Sequence, residues 1–124
     1  MGESKGYIRN SDEKGSINIS EEVVAVVAAA AAIEVDGVYG LFYSHGKELT
    51  NALSKKVLSR GVKLLIDGDD VSIDVYIIAY IGHSVNEVGA DIQRAVASAV
   101  EAAVGVSVSA VNVHICGVSL KKNR

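Results

Sequence analysis

Residues 61–118 read GVKLLIDGDDVSIDVYIIAYIG, HSVNEVGADIQRAVASAVEAAVG and VSVSAVNVHICGV in succession, and this stretch decides the fold class. The first part holds two alternating segments about an Asp67-Gly68-Asp69-Asp70 turn, the pattern of a β-hairpin. On its second strand Val71, Ile73, Val75, Ile77, Ala79 and Ile81 share one face, and Ser72, Asp74, Tyr76, Ile78 and Tyr80 share the other. The middle part opens with the capping box Ser84-Val85-Asn86-Glu87, in which the serine hydroxyl accepts from the third helical N–H. An apolar stripe of Val85, Val88, Ile92, Ala95, Val96, Ala99, Val100 and Ala103 then recurs at helical spacing until Gly105. The last part alternates again over residues 110–116, with Val111, Val113 and Ile115 inward. Strand, strand, helix, strand predicts an α+β domain with a mixed or antiparallel sheet of three to four strands against two main helices.

Upstream, residues 16–19 predict a short strand, and Ser20 caps a helix whose Glu21 and Glu22 meet the positive end of its dipole. That helix runs to about Val35 through VVAVVAAAAAI, and it is apolar on nearly every side, so it needs cover on more than one. Residues 47–59 predict a second, weaker helix carrying Leu49, Leu53, Val57 and Leu58. Residues 1–15 are polar and read as a flexible arm, residues 16–118 as a single domain, and residues 119–124 as a basic tail.

The 124 residues suffice for one modest core, and with 5% aromatics and no Trp that core must be built of Val, Ile and Ala. A single cysteine, Cys116, excludes an internal disulfide framework and fits a reducing, cytoplasmic setting. The opening residues hold no apolar signal segment. The longest apolar run, Val23 to Ile33, is well short of the ~20 residues of a membrane span. A net charge of −3 argues against a general nucleic-acid binder. The charge is uneven, however: residues 17–44 are acidic only, whereas residues 45–63 carry Lys47, Lys55, Lys56, Arg60 and Lys63 against Glu48.

Candidate chemistry is sparse. His114 and Cys116 lie two apart on a strand, and His45 or His83 are the further ligands a metal would need. A zinc site wants four ligands at clear spacing, so the reading preferred here is a buried thiol beside a sheet-surface histidine. Asp67, Asp69 and Asp70 open like a calcium loop, but Ser72 and Ile78 occupy the positions where Gly and Glu belong. Ser44-His45 and His83-Ser84 are neighbours in sequence without a third partner, and Glu21, Glu22, Glu87 and Asp91 are first-turn carboxylates that the helix dipole favours on its own. The expectation is no enzyme, no cofactor and no metal.

Two binding readings remain. Tyr76, Ile78 and Tyr80 make the second face of the hairpin apolar toward its end, which marks an interaction face and self-association. The alternative is RNA. Gly37-Val38-Tyr39-Gly40 is a GXXG pattern between two predicted helices, in the element order of a KH module, with Lys55, Lys56 and Arg60 as phosphate contacts. Val38 and Tyr39 bring no positive charge to such a loop, and the domain is otherwise acidic.

Several segments in order resemble the alkaline shock protein family of Gram-positive bacteria, the envelope stress response proteins. They are Gly15-Ser16-Ile17-Asn18-Ile19-Ser20, Glu22-Val23-Val24, Val35-Asp36-Gly37-Val38 and the strand Val71-Ser72-Ile73-Asp74-Val75-Tyr76-Ile77. Val85-Asn86-Glu87-Val88, Gly105 and Val111-Asn112-Val113-His114-Ile115 complete the set. The resemblance implies a small cytosolic α+β domain without known enzymatic activity, abundant and self-associating. It also implies a role in envelope stress or lipid metabolism, and in some members retention at the membrane by a separate anchor protein. No family site residues carry over.

Overall fold

The computed structural model describes residues 7–42 and 61–121. The order is β1 (Tyr7–Asp12), β2 (Gly15–Ser20), α1 (Glu21–Ile33), β3 (Val38–Leu41), β4 (Val62–Asp67), β5 (Asp70–Tyr80), α2 (Val85–Val104) and β6 (Ser107–Ser119). This is the expected α+β class. The sheet is mixed: β3 and β4 run antiparallel to β5, and β6 runs parallel to it after the α2 crossover. The helix expected over residues 47–59, and with it Lys47, Lys55, Lys56 and Arg60, lies outside the described residues.

β5 is the strand on which the sheet is built. Its even-numbered residues bond in one direction: the Tyr76 N–H donates to the Gly61 carbonyl, the Phe42 N–H donates to the Tyr76 carbonyl, and the Tyr80 N–H donates to the Gly37 carbonyl. Thus β3 lies against the later half of β5 and β4 against the earlier half, end to end along one edge. That arrangement depends on Gly61, where a Cβ would stand 2.8 Å from the Leu41 Cβ. Only a residue without a side chain lets the end of β3 meet the start of β4 so closely. The odd-numbered residues of β5 face the other way and take β6, from Asp70 opposite Ser107 to Tyr80 opposite Ser119.

Both helices are capped as the sequence requires. The Val23 N–H donates to the Ser20 hydroxyl at 3.3 Å, and the Glu87 N–H to the Ser84 hydroxyl at 3.4 Å. α1 stops at Ile33, slightly before the expected Val35, where a turn bonds the Val35 N–H to the Ala32 carbonyl. Its alanines at 25, 28, 29 and 32 are buried and let it pack closely on α2 and the sheet. Val88, Ile92, Val96, Val100 and Val104 are the buried side of α2. Together with Val71, Ile73, Val75, Ile77 and Ala79 they form an aliphatic core that, among the described residues, contains no aromatic or polar side chain.

The structure departs from the sequence reading at several places. Tyr7–Asp12, part of the supposed arm, pairs with β2 as a separate two-stranded hairpin closed by the Lys14 N–H donating to the Asp12 carboxylate. Ile81 does not continue the inner face of β5: it lies past the strand end and is 46% exposed. Cys116 is exposed rather than buried: it lies two residues beyond His114 and shares the outward side of β6 with it, at a bulge between Ile115 and Gly117.

The GXXG segment is not a loop between helices. Val38–Leu41 is strand β3, Val38 is buried, and Gly37 turns into the strand with φ +95°. A Cβ at Gly37 would stand 2.6 Å from a Val88 methyl, so the glycine serves the packing of α2 against the strand entry.

Candidate interaction surface

Among the described residues the helices cover only one side of the main sheet. Period two on β5 then leaves Ser72, Asp74, Tyr76, Ile78 and Tyr80 on the other side, each half-buried. The three residues singled out from the sequence, Tyr76, Ile78 and Tyr80, therefore do share this face.

The neighbouring strands add side chains by register. His114 of β6 lies opposite Tyr76 and stacks on it, the ring centroids 4.4 Å apart and 12° from parallel. The His114 Nε2 is 3.1 Å from the Asp74 carboxylate, two residues back along β5. Lys63 of β4, which is paired with Asp74, holds its Nζ 5.7 Å from the Tyr76 ring centre, within cation–π range. Tyr76 is thus flanked by a cation on one strand and an imidazole on the other. Nearer the end of β5, Tyr39 of β3 meets Tyr80 edge to face at 5.5 Å. Leu65, opposite Ser72, is 67% exposed. The surface is an aromatic centre with a histidine–carboxylate contact at its middle and an exposed leucine at its margin.

Asp74 was placed on this face by alternation but not singled out, and His114, Lys63 and Tyr39 were not selected from the sequence as members of it. Alternation alone places His114 opposite to Val113 and Ile115, but nothing short of the parallel register puts it on Tyr76. His114 and Cys116 do not converge on a ligand: the Cys116 thiol turns to the carbonyl of His114 itself. Among the described residues no three His, Cys, Asp or Glu side chains gather as a metal would require. Among the described residues no serine, threonine or cysteine hydroxyl or thiol bonds the His114 imidazole or the Asp74 carboxylate, so the arrangement of an activated nucleophile is not present there. Among the described residues no helix is long and apolar enough to cross a membrane.

Among the described residues these features define a class: a small α+β domain in which two helices close one side of a mixed sheet and leave an aromatic face on the other. The chain belongs to the alkaline shock protein 23 family, described as having a cell envelope-related function, whose profile matches residues 9–120. It is 37% identical over 106 residues to YloU of Bacillus subtilis, spanning 84% of this chain and 88% of that protein. It is 36% identical over 109 residues to Spy1535 of Streptococcus pyogenes, spanning 87% and 82%. Among solved structures, a MamM CTD variant is similar with a TM-score of 0.49 and 21% identity, over 78% of this chain and 94% of that one.

Proposed function

We propose that this chain is a non-enzymatic interaction domain in support of the cell envelope, which assembles with copies of itself through the open sheet face. The observation that carries this reading is the placement of the aromatic residues. Tyr39, Tyr76 and Tyr80 are absent from the core and line the side of the sheet that no helix covers among the described residues. Apolar rings with polar tips suit a surface that is wet in one state and buried in another. Covering Tyr76, Ile78 and Tyr80 contributes about 1.5–3 kcal/mol for each large apolar side chain fully buried, an upper figure for groups already half-covered. The family's cell envelope-related description supports a place for this chain in envelope upkeep, and in this reading a separate anchor protein holds it at the membrane.

Replacing Tyr76 and Tyr80 together by Ser should shift the protein to smaller species in sedimentation velocity. The denaturation midpoint should move little, since neither ring is in the core. An unchanged mass distribution would remove Tyr76 and Tyr80 from the interface. A second measurement addresses the anchor: after nuclease treatment of a cell extract, a substantial share of the native protein should sediment with membranes and be released by mild detergent. A pool that stays with the soluble fraction, and shrinks in size on nuclease treatment, would return RNA to the front.

A further inference from the structure

The outer edge of β6 is a built site for another strand. The bonding directions along β5 settle which backbone groups face it. Odd-numbered residues of β5 point at β6, as the Ile81 N–H does in donating to the Ser119 carbonyl. Within the regular run between the two bulges, Ala110, Asn112 and His114 therefore bond to β5, and Val111, Val113 and Ile115 turn their N–H and C=O groups away from the sheet.

α2 occupies the first part of that edge with side chains. The Glu101 carboxylate accepts from the Val108 N–H at 3.1 Å, and the Gln93 amide donates to the Val111 carbonyl at 3.0 Å. From Val113 onward no side chain among the described residues does the same. The usual protections of an exposed edge are also missing. Ser107–Ser119 contains no Lys, Arg, Asp, Glu or Pro, and its outward positions are β-branched. The opposite edge of the sheet is divided between two short strands, and β4 carries Lys63 and Asp67.

We infer that the Val113–Ile115 edge of β6 pairs antiparallel with the same edge of a second copy, joining two sheets about a two-fold axis. This rests on the self-association proposed above and names a contact for it. A second copy is the occupant favoured by charge. The chain has a net charge of −3, so most surfaces of two copies repel, whereas this edge brings no formal charge against itself. Its pattern is also self-complementary: with His114 on the axis, Val113 of one copy exchanges N–H and C=O bonds with Ile115 of the other, and the reverse. The two open faces, each with its Tyr76–His114 stack, then lie side by side in one continuous sheet. Strand addition of this kind takes its affinity from main-chain bonds.

The test uses the full chain. Val113→Pro removes an outward N–H and places the ring at the free edge, while the bonds to β5 from Asn112 and His114 remain. Sedimentation velocity over a concentration series should show the wild type dimerising and the variant monomeric, with unchanged far-UV circular dichroism. Independently, His114→Cys in a Cys116→Ser background puts two thiols across the axis, where Cα atoms of a non-hydrogen-bonded pair are ~4.5 Å apart and a disulfide can close. Mild oxidation should then give a reducible covalent dimer, and this readout decides if the proline variant does not fold. Assembly that survives Val113→Pro with no cross-linked dimer overturns the edge. If Tyr76→Ser with Tyr80→Ser abolishes that surviving assembly, the open-face reading stands without it. A wild type that is monomeric at every concentration defeats both readings.

Discussion

Val38→Asp should leave the domain unfolded or weakened by about 3–5 kcal/mol, the range for an uncompensated charge in a protein interior. Val38 is 6% exposed, lies opposite Ala79 in the sheet, and belongs to the aliphatic core that α1 and α2 close over. No cation lies among the described core residues to neutralise a carboxylate, and a domain of this size has about 5–15 kcal/mol of stability in all. Urea denaturation followed by circular dichroism measures the loss. The outcome also separates two accounts of the GXXG segment. If Gly37-Val38-Tyr39-Gly40 were an exposed nucleotide-clamping loop, an aspartate there would abolish binding and leave stability nearly unaltered. In a strand of the core it does the reverse.

Ile77→Ala should cost about 2–5 kcal/mol, the range for deleting most of a fully buried Ile side chain. Ile77 has no exposed surface, and its neighbours in register are Leu41 on β3 and Ile115 on β6. It therefore sits where both edges of the sheet meet β5, with little room for the backbone to collapse into the space left behind. Ile78→Ala is the control. It is the next residue in the same strand with the same chemistry, but it points to the open face, where only part of the side chain leaves water. Comparable midpoints for the two variants would mean that the faces of β5 have been exchanged, a slip of one residue in register.

The inner and outer faces of β5 could be read directly, because eleven residues of strict alternation admit only one burial pattern. The same holds for α2, where a serine cap, a spacing of four and three, and a closing glycine agree with one another. The aliphatic core followed from composition, since a chain with a single Phe and no Trp has little else to fill it. Other features had no local signal. β1 has Tyr7 and Ile8 at its start and only polar residues after them, so hydrophobic periodicity is silent about it. The end-to-end seating of β3 and β4 depends on the contact between Gly61 and Leu41, residues far apart in sequence. The bulge in β6 at Cys116 is equally silent, since alternation, which counts by twos, carries no warning of an extra residue in the pairing, although it does set Cys116 on the outward side with His114.

The interaction face was half legible for the same reason. Tyr76, Ile78 and Tyr80 lie on one strand and declare themselves by spacing. Tyr39, Lys63 and His114 arrive from three other strands, and what brings them together is pairing register, a long-range property. The GXXG pattern misled because Gly37 is a real structural requirement, but of packing against Val88 and of a positive φ at the strand entry rather than of nucleotide access, while a Cβ at Gly40 would meet no neighbour.

The way β5 is shared between its neighbours also bears on how the chain leaves the ribosome. β3 and β4 precede β5 in sequence and bond only to its even-numbered residues, whereas its odd-numbered residues wait for β6, which follows the whole of α2. During synthesis there is an interval in which β5 is paired along one side and bare along the other, with its isoleucines and valines already in strand order. An unpaired hydrophobic edge on a nascent chain is a starting point for misassembly. α2 is the segment made next, and in the finished domain it packs chiefly on α1 and β6 rather than on β5. The bare side of β5 is therefore closed only when β6 itself has been made, so the last strand out of the ribosome is the one that ends the hazard.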